Sequence, residues 1–300
     1  MAWLTRFFNR QSRNNLSNSL NRPDGGYAIR PMFTKKKMNL HHLDGIKGVI
    51  LDMDGVLWTD TSPIGNLPAI FARFKELDLR VVVATNNSTR SADQHREKLA
   101  RFGVSLEPWQ VVSSSMAVVN YLSHHYPSGG EVFVIGEDNL KNALAEAGFS
   151  HQPDLGGKIL AVVAGLDYSL TYEKLRRASL LIRDGVPFIG TNPDRTLPTP
   201  EGIIPGAGAV LAALVAATDV TPILMGKPEP PLYQLALERL GTAPGETLAI
   251  GDRLETDVLG GQRIGCRTAL VLSGISTREQ AVHWVPQPEM IAPDLTGLLW

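Results

Sequence analysis

Residues 49–55 of the chain read Val-Ile-Leu-Asp-Met-Asp-Gly. Three apolar residues, two of them β-branched, come directly before two aspartates that are separated by one residue. An uninterrupted apolar run of this kind is typical of a strand buried on both faces, as in a parallel sheet covered by helices. The stretch therefore predicts a buried strand that ends at a pair of carboxylates.

Further apolar runs and amphipathic patterns follow along the chain, and together they predict an α/β fold with a parallel sheet. The other strand-like runs are Val81–Ala84, Leu248–Ile250 and Leu270–Leu272. The helical patterns are Leu67–Leu79, Ser91–Phe102 and Pro230–Leu240.

The middle of the chain carries its own set of predicted strands and helices. They are Glu131–Gly136, Asn139–Ala147, Leu160–Gly165, Tyr172–Arg183 and Pro187–Ile189. This set is enough for a smaller α/β unit inserted into the first one, which then closes again near Pro205. We therefore predict a core formed by residues 43–112 and 206–300, with residues 113–205 as the insertion.

Residues 1–42 differ in composition from the rest, with many Arg, Lys, Ser and Asn residues and Asp24 as the only acidic residue of the first 40. Such a segment is similar to a transit peptide. It is also explained as a disordered basic tail, or as the result of translation that begins at Met32 or Met38 instead of Met1. We leave it out of the fold argument.

The whole-chain composition argues against large polyanionic partners. The formal net charge is -1, so no overall field would attract nucleic acid or an acidic membrane. The longest uncharged apolar stretch, Ala207–Thr218, is far shorter than the ~20 residues of a membrane span. Cys266 is the single cysteine, which excludes an intramolecular disulfide and a thiolate metal site. We expect a cytoplasmic protein with a small-molecule substrate, with organelle import through the basic tail as the alternative.

The pair Asp52 and Asp54 indicates a cation. Two carboxylates so close together repel and raise each other's pKa, and a divalent cation relieves that repulsion. Asp252, after another apolar run, offers a third carboxylate, a ligand set that suits Mg²⁺. Gly55 allows the backbone to turn sharply and to approach a phosphate.

These carboxylates and the other polar residues after the apolar runs indicate phosphoryl transfer. Asp52 can form an aspartyl-phosphate, and Asp54 can move protons to and from the reacting oxygens. The hydroxyl of Thr85, the backbone N–H groups of Asn86 and Asn87, and the ammonium of Lys227 can hold the phosphate. Ser88 or Thr89 can cap the helix that follows.

Each motif alone also has a structural explanation as a turn or a helix cap. Their occurrence in this order, each after an apolar run, favours a common site. Two other classes of protein do not fit the sequence. A receiver domain has no Asp-x-Asp-Gly at its first strand, and Gly206-Ala207-Gly208 lacks the third glycine of a dinucleotide-binding fingerprint.

With these motifs the sequence resembles the haloacid dehalogenase (HAD) superfamily, in the subgroup of NagD-like and 4-nitrophenyl phosphatase-like enzymes, from about Leu43 to the C-terminus. The motifs are Asp52–Leu57, Thr85–Ser88, Gly226–Pro228 and Gly251–Asp257. The resemblance implies a doubly wound, Rossmann-like core with an inserted α/β cap domain that sets substrate choice.

Residue roles follow from the same resemblance. Asp52 would be the nucleophile and a Mg²⁺ ligand, Asp54 the acid/base residue with its main-chain carbonyl on Mg²⁺, and Asp252 a direct ligand. Asp257 would orient metal-bound water or Lys227. In the cap, Asn192 and Asp194 are candidates for substrate contact, with a loop held by Asx turns as the structural alternative. The resemblance also implies a homodimer formed through the cap.

Two functional alternatives stay open at this stage. A phosphotransferase would pass the phosphoryl group from the same intermediate to a hydroxyl acceptor instead of water. A non-catalytic small-molecule binding protein could keep the fold, although the intact carboxylates and Lys227 argue against it. The physiological phosphate ester is not identified by the sequence.

Overall fold

The computed structural model describes residues 43–151, 158–199 and 201–300. The predicted basic tail, residues 1–42, and the candidate starts at Met1, Met32 and Met38 lie outside the described residues. The strands are β1 (Gly48–Leu51), β2 (Trp58–Thr59), β3 (Ser62–Pro63), β4 (Arg80–Thr85), β5 (Val111–Ser113), β6 (Gly130–Ile135), β7 (Phe149–Ser150), β8 (Ile159–Ala164), β9 (Phe188–Gly190), β10 (Thr196–Thr199), β11 (Gly202–Pro205), β12 (Ile223–Leu224), β13 (Thr247–Gly251), β14 (Arg267–Val271) and β15 (Met290–Ala292). The helices are α1 (Leu67–Glu76), α2 (Ala92–Arg101), α3 (Ser114–His125), α4 (Asp138–Glu146), α5 (Tyr172–Arg183), α6 (Ala207–Thr218), α7 (Pro230–Leu240), α8 (Leu259–Arg263), α9 (Arg278–His283) and α10 (Leu295–Leu299).

The first sheet has six parallel strands in the order β15-β14-β13-β1-β4-β5. Alternate residues of its central strand enter different apolar clusters. Val49 and Leu51 pack with residues of α1 and α10, whereas Ile50 packs with residues of α3 and α7. Because side chains alternate between the two faces of a strand, helices cover the sheet on both sides. The predicted doubly wound α/β core is confirmed.

The second sheet is also parallel, in the order β12-β9-β8-β6-β7. One face packs on α5 and α6, and the other packs on α3 and α4. The apolar cluster around α3 contains residues of both sheets, including Val82 of the first and Val163 of the second. Helix α6 and strand β12, which follow Pro205 in the sequence, therefore belong to the second sheet and its helices.

The predicted helices agree closely with the observed ones, and the largest difference is at the end of α1. The pattern predicts a helix to Leu79, but the helix ends at Glu76. Asp78 has a positive φ of 55°, which a continuing α-helix cannot accommodate. Leu79 is nevertheless buried, so the apolar pattern continues into the turn before β4.

A second correction concerns the start of α2. Its N-cap is Ser91, whose side chain forms a capping box with Gln94. The predicted caps Ser88 and Thr89 precede it, and Thr89 instead donates to the side chain of Asn87.

None of the helices in the described part of the chain has both the length and the hydrophobicity needed to cross a bilayer.

Candidate active site

Three of the predicted site residues stand at the ends of neighbouring strands. In the first sheet β13, β1 and β4 lie side by side. Asp252 directly follows β13, Asp52 directly follows β1, and Thr85 is the last residue of β4. Because the carboxyl ends of parallel strands meet at one edge of the sheet, the three residues share the edge where ligands bind in open α/β folds.

Lys227 lies between two carboxylates at this edge. Its Nζ atom donates to Oδ1 of Asp52 and, over 2.7 Å, to Oδ1 of Asp257. Lys227 is 4% exposed, and burial alone would lower its pKa. The charges of Asp257 and Asp52 outweigh burial and hold the pKa of Lys227 well above its usual value, so the ammonium stays charged.

Three carboxyl groups lie close together around the ammonium of Lys227. Asp52, Asp252 and Asp257 each bring an oxygen within 4.8 Å of the others, and the Lys227 ammonium pairs with two of them, Asp52 and Asp257. Burial raises the pKa of Asp52 well above its usual value; Lys227 opposes this rise, and Asp257 and Asp252 add to it. The cluster therefore favours an additional positive charge.

Asp252 has an oxygen for which the described part of the chain supplies no partner. Its Oδ2 atom accepts a hydrogen bond from the backbone N–H of Ile275 over 2.7 Å. Its Oδ1 atom is buried and has no hydrogen-bond partner among the described residues. Burial, followed by the charge of Asp257, raises the pKa of Asp252 to about 6. A buried carboxylate oxygen of this kind costs free energy unless something binds it, and hard divalent cations prefer oxygen ligands. The residues fit a divalent metal.

Two glycines make room for the Asp252 carboxylate. Gly55 has a positive φ of 80°, and a Cβ atom there would lie 2.6 Å from Oδ2 of Asp252. At Gly274 a Cβ atom would lie only 1.9 Å from the same oxygen. The predicted need for glycine at position 55 thus has a second cause, which is the close approach of Asp252.

The carboxylate of Asp54 does not join the cluster of three. The strand ends at Leu51, and the chain then turns, with the N–H of Leu57 donating to the carbonyl of Met53 over 2.8 Å. Asp54 is exposed, and its Oδ1 atom accepts a hydrogen bond from the indole Nε1 of Trp58 over 2.7 Å. The turn thus gives the two predicted carboxylates different surroundings, one beside Lys227 and one facing solvent.

Asn86 binds the backbone of Lys227 through both polar atoms of its side-chain amide. Its Oδ1 atom accepts from the backbone N–H of Lys227 over 2.7 Å, and its Nδ2 atom donates to the carbonyl of Lys227 over 3.0 Å. Nδ2 also donates to Asp194 over 3.1 Å. Because the amide is satisfied by protein groups, a role for Asn86 on phosphate is limited to its backbone N–H.

The two candidates from the predicted insertion, Asn192 and Asp194, also contact Asn86. Asn192 is buried and donates from Nδ2 to the carbonyl of Asn86 over 2.7 Å. Its Oδ1 atom accepts from the N–H of Asp194 over 3.1 Å, which is the Asx turn of the structural alternative. Burial raises the pKa of Asp194, although its hydrogen bond from Asn86 and the charge of Lys227 act in the opposite direction. Direct substrate contact by these two residues stays a prediction.

Several residues of the site were not predicted. Trp58 holds Asp54, Gly274 and the N–H of Ile275 receive Asp252, and Ser273 donates to the carbonyl of Gly55 over 2.7 Å. The Ser-Gly pair directly follows the apolar run Leu270–Leu272, so its position after a strand was a signal available in the sequence. Trp58 gave no such signal, because a lone tryptophan after a turn is typical of a core residue.

Known proteins and family models match most of the chain. A family model described as haloacid dehalogenase-like hydrolase matches residues 49–150, and one described as HAD-hydrolase-like matches residues 224–298. The acid sugar phosphatase of Staphylococcus aureus is 36% identical over 249 residues, which cover 83% of this chain and 95% of that protein.

Two solved structures are similar over most of the chain. NagD from Escherichia coli K-12 has 30% identity and a TM-score of 0.77, covering 83% of this chain and 97% of NagD. The glycerol phosphate phosphatase of Mycobacterium tuberculosis, solved in complex with calcium, has 32% identity and a TM-score of 0.77, covering 85% of this chain and 75% of that one.

The chain therefore belongs to the haloacid dehalogenase-like hydrolases, as the resemblance predicted. Within that family it is a phosphatase. Phosphatases of this family use a divalent metal, which agrees with the carboxylate cluster and with the calcium in one similar structure.

Proposed function

We propose that the protein hydrolyses small-molecule phosphate monoesters through an aspartyl-phosphate on Asp52, with Mg²⁺ as its metal. The observation that carries the proposal is the joint position of Asp52, Asp252 and Lys227 at one sheet edge, with one buried oxygen of Asp252 left without a partner. A carboxylate nucleophile next to a charged lysine and a cation-binding group supplies the groups that phosphoryl transfer through an aspartyl-phosphate needs.

In the first step a carboxylate oxygen of Asp52 forms a bond to phosphorus while the bond from phosphorus to the ester oxygen breaks. Asp54 donates its proton to that leaving oxygen. A placed acid of this kind contributes about 10²–10⁴-fold to the rate. The exposed position of Asp54 supports this role, because the leaving group enters from solvent.

In the second step water attacks phosphorus, and Asp54, now a carboxylate, takes the proton from that water. The bond between phosphorus and Asp52 breaks, inorganic phosphate leaves, and both aspartates return to their starting states. One acid/base residue thus serves both steps in turn.

The remaining residues hold the phosphate and the metal. Lys227, the hydroxyl of Thr85 and the backbone N–H of Asn86 would contact the phosphate oxygens. The N–H of Gly55 donates to the carbonyl of Trp58, so Gly55 would serve the phosphate only by the space that its missing side chain leaves. Asp52, Asp252 and the main-chain carbonyl of Asp54 would hold Mg²⁺, whose charge would stabilise the negative charge on the transferred group. Asp257, bonded to Lys227 over 2.7 Å, would keep the ammonium in place.

The second sheet and its helices would form the proposed cap, predicted at residues 113–205. The packing of α6 on this sheet and the pairing of β12 with β9 extend the proposed cap by Ala207–Thr218 and Ile223–Leu224. The cap would exclude water and contact the part of the substrate beyond the phosphate. The names of two relatives, an acid sugar phosphatase and a glycerol phosphate phosphatase, support sugar or polyol phosphates as the substrate class.

A cytoplasmic location and a homodimer formed through the cap are part of the same proposal. Sedimentation velocity over a range of protein concentrations tests the dimer. A monomer at every concentration would contradict it.

Phosphate release from an aryl phosphate, without any added acceptor, tests the proposed reaction. We expect activity that chelator abolishes and Mg²⁺ restores, and loss of activity in Asp52→Asn. Asp184→Asn, an exposed aspartate after α5, is the matched control and keeps full activity. Full activity of Asp52→Asn, or activity in excess chelator, would rule out the mechanism.

Acid quenching followed by mass spectrometry tests the intermediate, which we expect as a phosphoryl adduct on Asp52. The phosphotransferase alternative predicts that phosphate appears only when a hydroxyl acceptor is added. The binding-protein alternative predicts phosphate-ester binding without any turnover.

A further inference from the structure

Trp58 is a buried residue with a polar contact to an exposed one. Its side chain lies in the apolar core and is 1% exposed, whereas Asp54 faces solvent. The indole Nε1 donates to Oδ1 of Asp54 over 2.7 Å. Of the two partners, Trp58 is therefore the one that the fold holds in place.

Contacts on several sides restrain the indole ring. The Lys98 Nζ atom lies 4.0 Å from the ring centroid, and the Phe102 ring centroid lies 6.2 Å from that of Trp58. Lys98 lies on α2 and Phe102 directly follows that helix. The Nζ atom of Lys98 also donates to the carbonyl of Asp60 over 3.0 Å. The ring cannot turn away from Asp54 without disturbing this packing.

The backbone of Trp58 also closes the turn that carries Asp54. The carbonyl of Trp58 accepts a hydrogen bond from the N–H of Gly55 over 2.8 Å, and Trp58 pairs with Pro63 in the β2–β3 ribbon. Trp58 thus restrains both the main chain next to Asp54 and the carboxylate of Asp54.

We propose that Trp58 is a positioning residue for Asp54, a role that rests on the proposed function of Asp54 as acid and base. An indole nitrogen is a hydrogen-bond donor only, so Oδ1 of Asp54 must be the unprotonated oxygen whenever this bond is present. The exchangeable proton then resides on Oδ2, the oxygen left free for the leaving group and for water.

The effect of losing this hydrogen bond on the reaction rate should depend on the leaving group of the phosphate ester. An alkoxide is a strong base and needs a proton as its bond to phosphorus breaks, whereas 4-nitrophenolate is a weak base and leaves without one. Loss of the indole N–H frees the carboxyl group to rotate and to carry its proton on either oxygen. That loss slows transfer from alkyl phosphates and leaves transfer from the aryl phosphate nearly unchanged.

The test compares kcat/KM for glycerol phosphate and for 4-nitrophenyl phosphate, because kcat/KM covers the steps up to phosphoryl transfer. In Trp58→Phe we expect a loss of about tenfold for glycerol phosphate and less than about threefold for 4-nitrophenyl phosphate. Phe102→Leu is the matched control, since it disturbs packing against the same ring but keeps the N–H donor. It should change both values by the same factor.

A second replacement removes the N–H without changing the ring shape. Benzothienylalanine at position 58 keeps the bicyclic ring and has sulfur in place of the N–H, so it separates the hydrogen bond from folding if Trp58→Phe is unstable. Equal losses for both esters with this residue, or the same selective loss in Phe102→Leu, would overturn the proposal. Failure of the proposed function itself would give a different result, since the wild-type protein would then release phosphate from neither ester.

Discussion

Asn86 donates a hydrogen bond from its side-chain amide to Oδ2 of Asp194, 108 residues further along the chain, over 3.1 Å. Asn86 follows β4 of the first sheet, and Asp194 follows β9 of the second. The same amide group of Asn86 pairs with the backbone of Lys227 through both its oxygen and its nitrogen. Asn86 therefore joins the proposed cap to Lys227, which contacts the proposed nucleophile Asp52.

Replacement of Asn86 by Ala is expected to damage both activity and stability. It leaves the buried backbone of Lys227 without partners, and each such group costs about 1–3 kcal/mol. We expect kcat to fall by about tenfold or more, because the Lys227 ammonium is no longer held against Asp52. Phosphate release and urea unfolding measure the two effects.

Asn87→Ala is the control for this change, because the side chain of Asn87 contacts only Thr89 among the described hydrogen bonds. We expect a clearly smaller effect on both measurements. Similar losses in the two variants would show that the pairing with Lys227 has no special importance.

Gly274→Ala is expected to weaken metal binding. The new Cβ atom would stand 1.9 Å from Oδ2 of Asp252, so the carboxylate must move. Isothermal titration with Mg²⁺ should give an affinity lower by about tenfold or more, because ligand geometry controls Mg²⁺ affinity. Gly245→Ala serves as control, since a Cβ atom there meets no atom within 4 Å. Unchanged Mg²⁺ affinity in Gly274→Ala would refute the expectation.

Metal affinity is expected to fall in mild acid. The pKa of Asp252 is raised to about 6 by burial and by Asp257, so protons compete with the cation as the pH falls through that value. Below it, the apparent affinity should decrease by up to about tenfold for each pH unit. Isothermal titration at several pH values measures this slope. Asp252→Asn, which has no proton to exchange at that position, should bind weakly and show a flatter dependence; a steep slope in that variant would assign the proton to another group.

His95 is expected to make the fold sensitive to acid. It is 2% exposed, neither ring nitrogen has a hydrogen-bond partner within the part of the chain that the structure describes, and burial lowers its pKa from 6.5 to about 4. Below pH 6.5 the unfolded chain takes up a proton at this site and the folded chain does not, so stability decreases as the pH falls from 6.5 towards 4. The full loss is on the order of 3 kcal/mol.

Urea unfolding of His95→Leu, compared with wild type near pH 7 and near pH 5, measures this contribution. We expect the variant to lose less stability than wild type over that interval. His283→Gln, at an exposed position on α9, is the matched control and should behave like wild type. A parallel decrease in wild type and His95→Leu would assign the acid sensitivity to other groups.

The α/β class, the order of the motifs and the family could be predicted from the chain alone. Apolar runs such as Val49–Leu51 identify buried strands by local composition, and the polar residues after them must gather at one sheet edge once the strands are parallel. These are properties of short segments and of a general rule for sheets, so no knowledge of long-range contacts is needed.

The different surroundings of Asp52 and Asp54 could be seen only in the tertiary structure. Asp52 and Asp54 are two residues apart, yet one contacts Lys227, 175 residues away, and the other contacts Trp58. The amide of Asn86 likewise bonds to protein groups that lie far away in the sequence. The small size of Gly274 matters only because Asp252 packs against it in the folded chain. Local sequence sets the backbone conformation of each segment, whereas the partner of each side-chain atom is chosen by the packing of segments far apart in the chain.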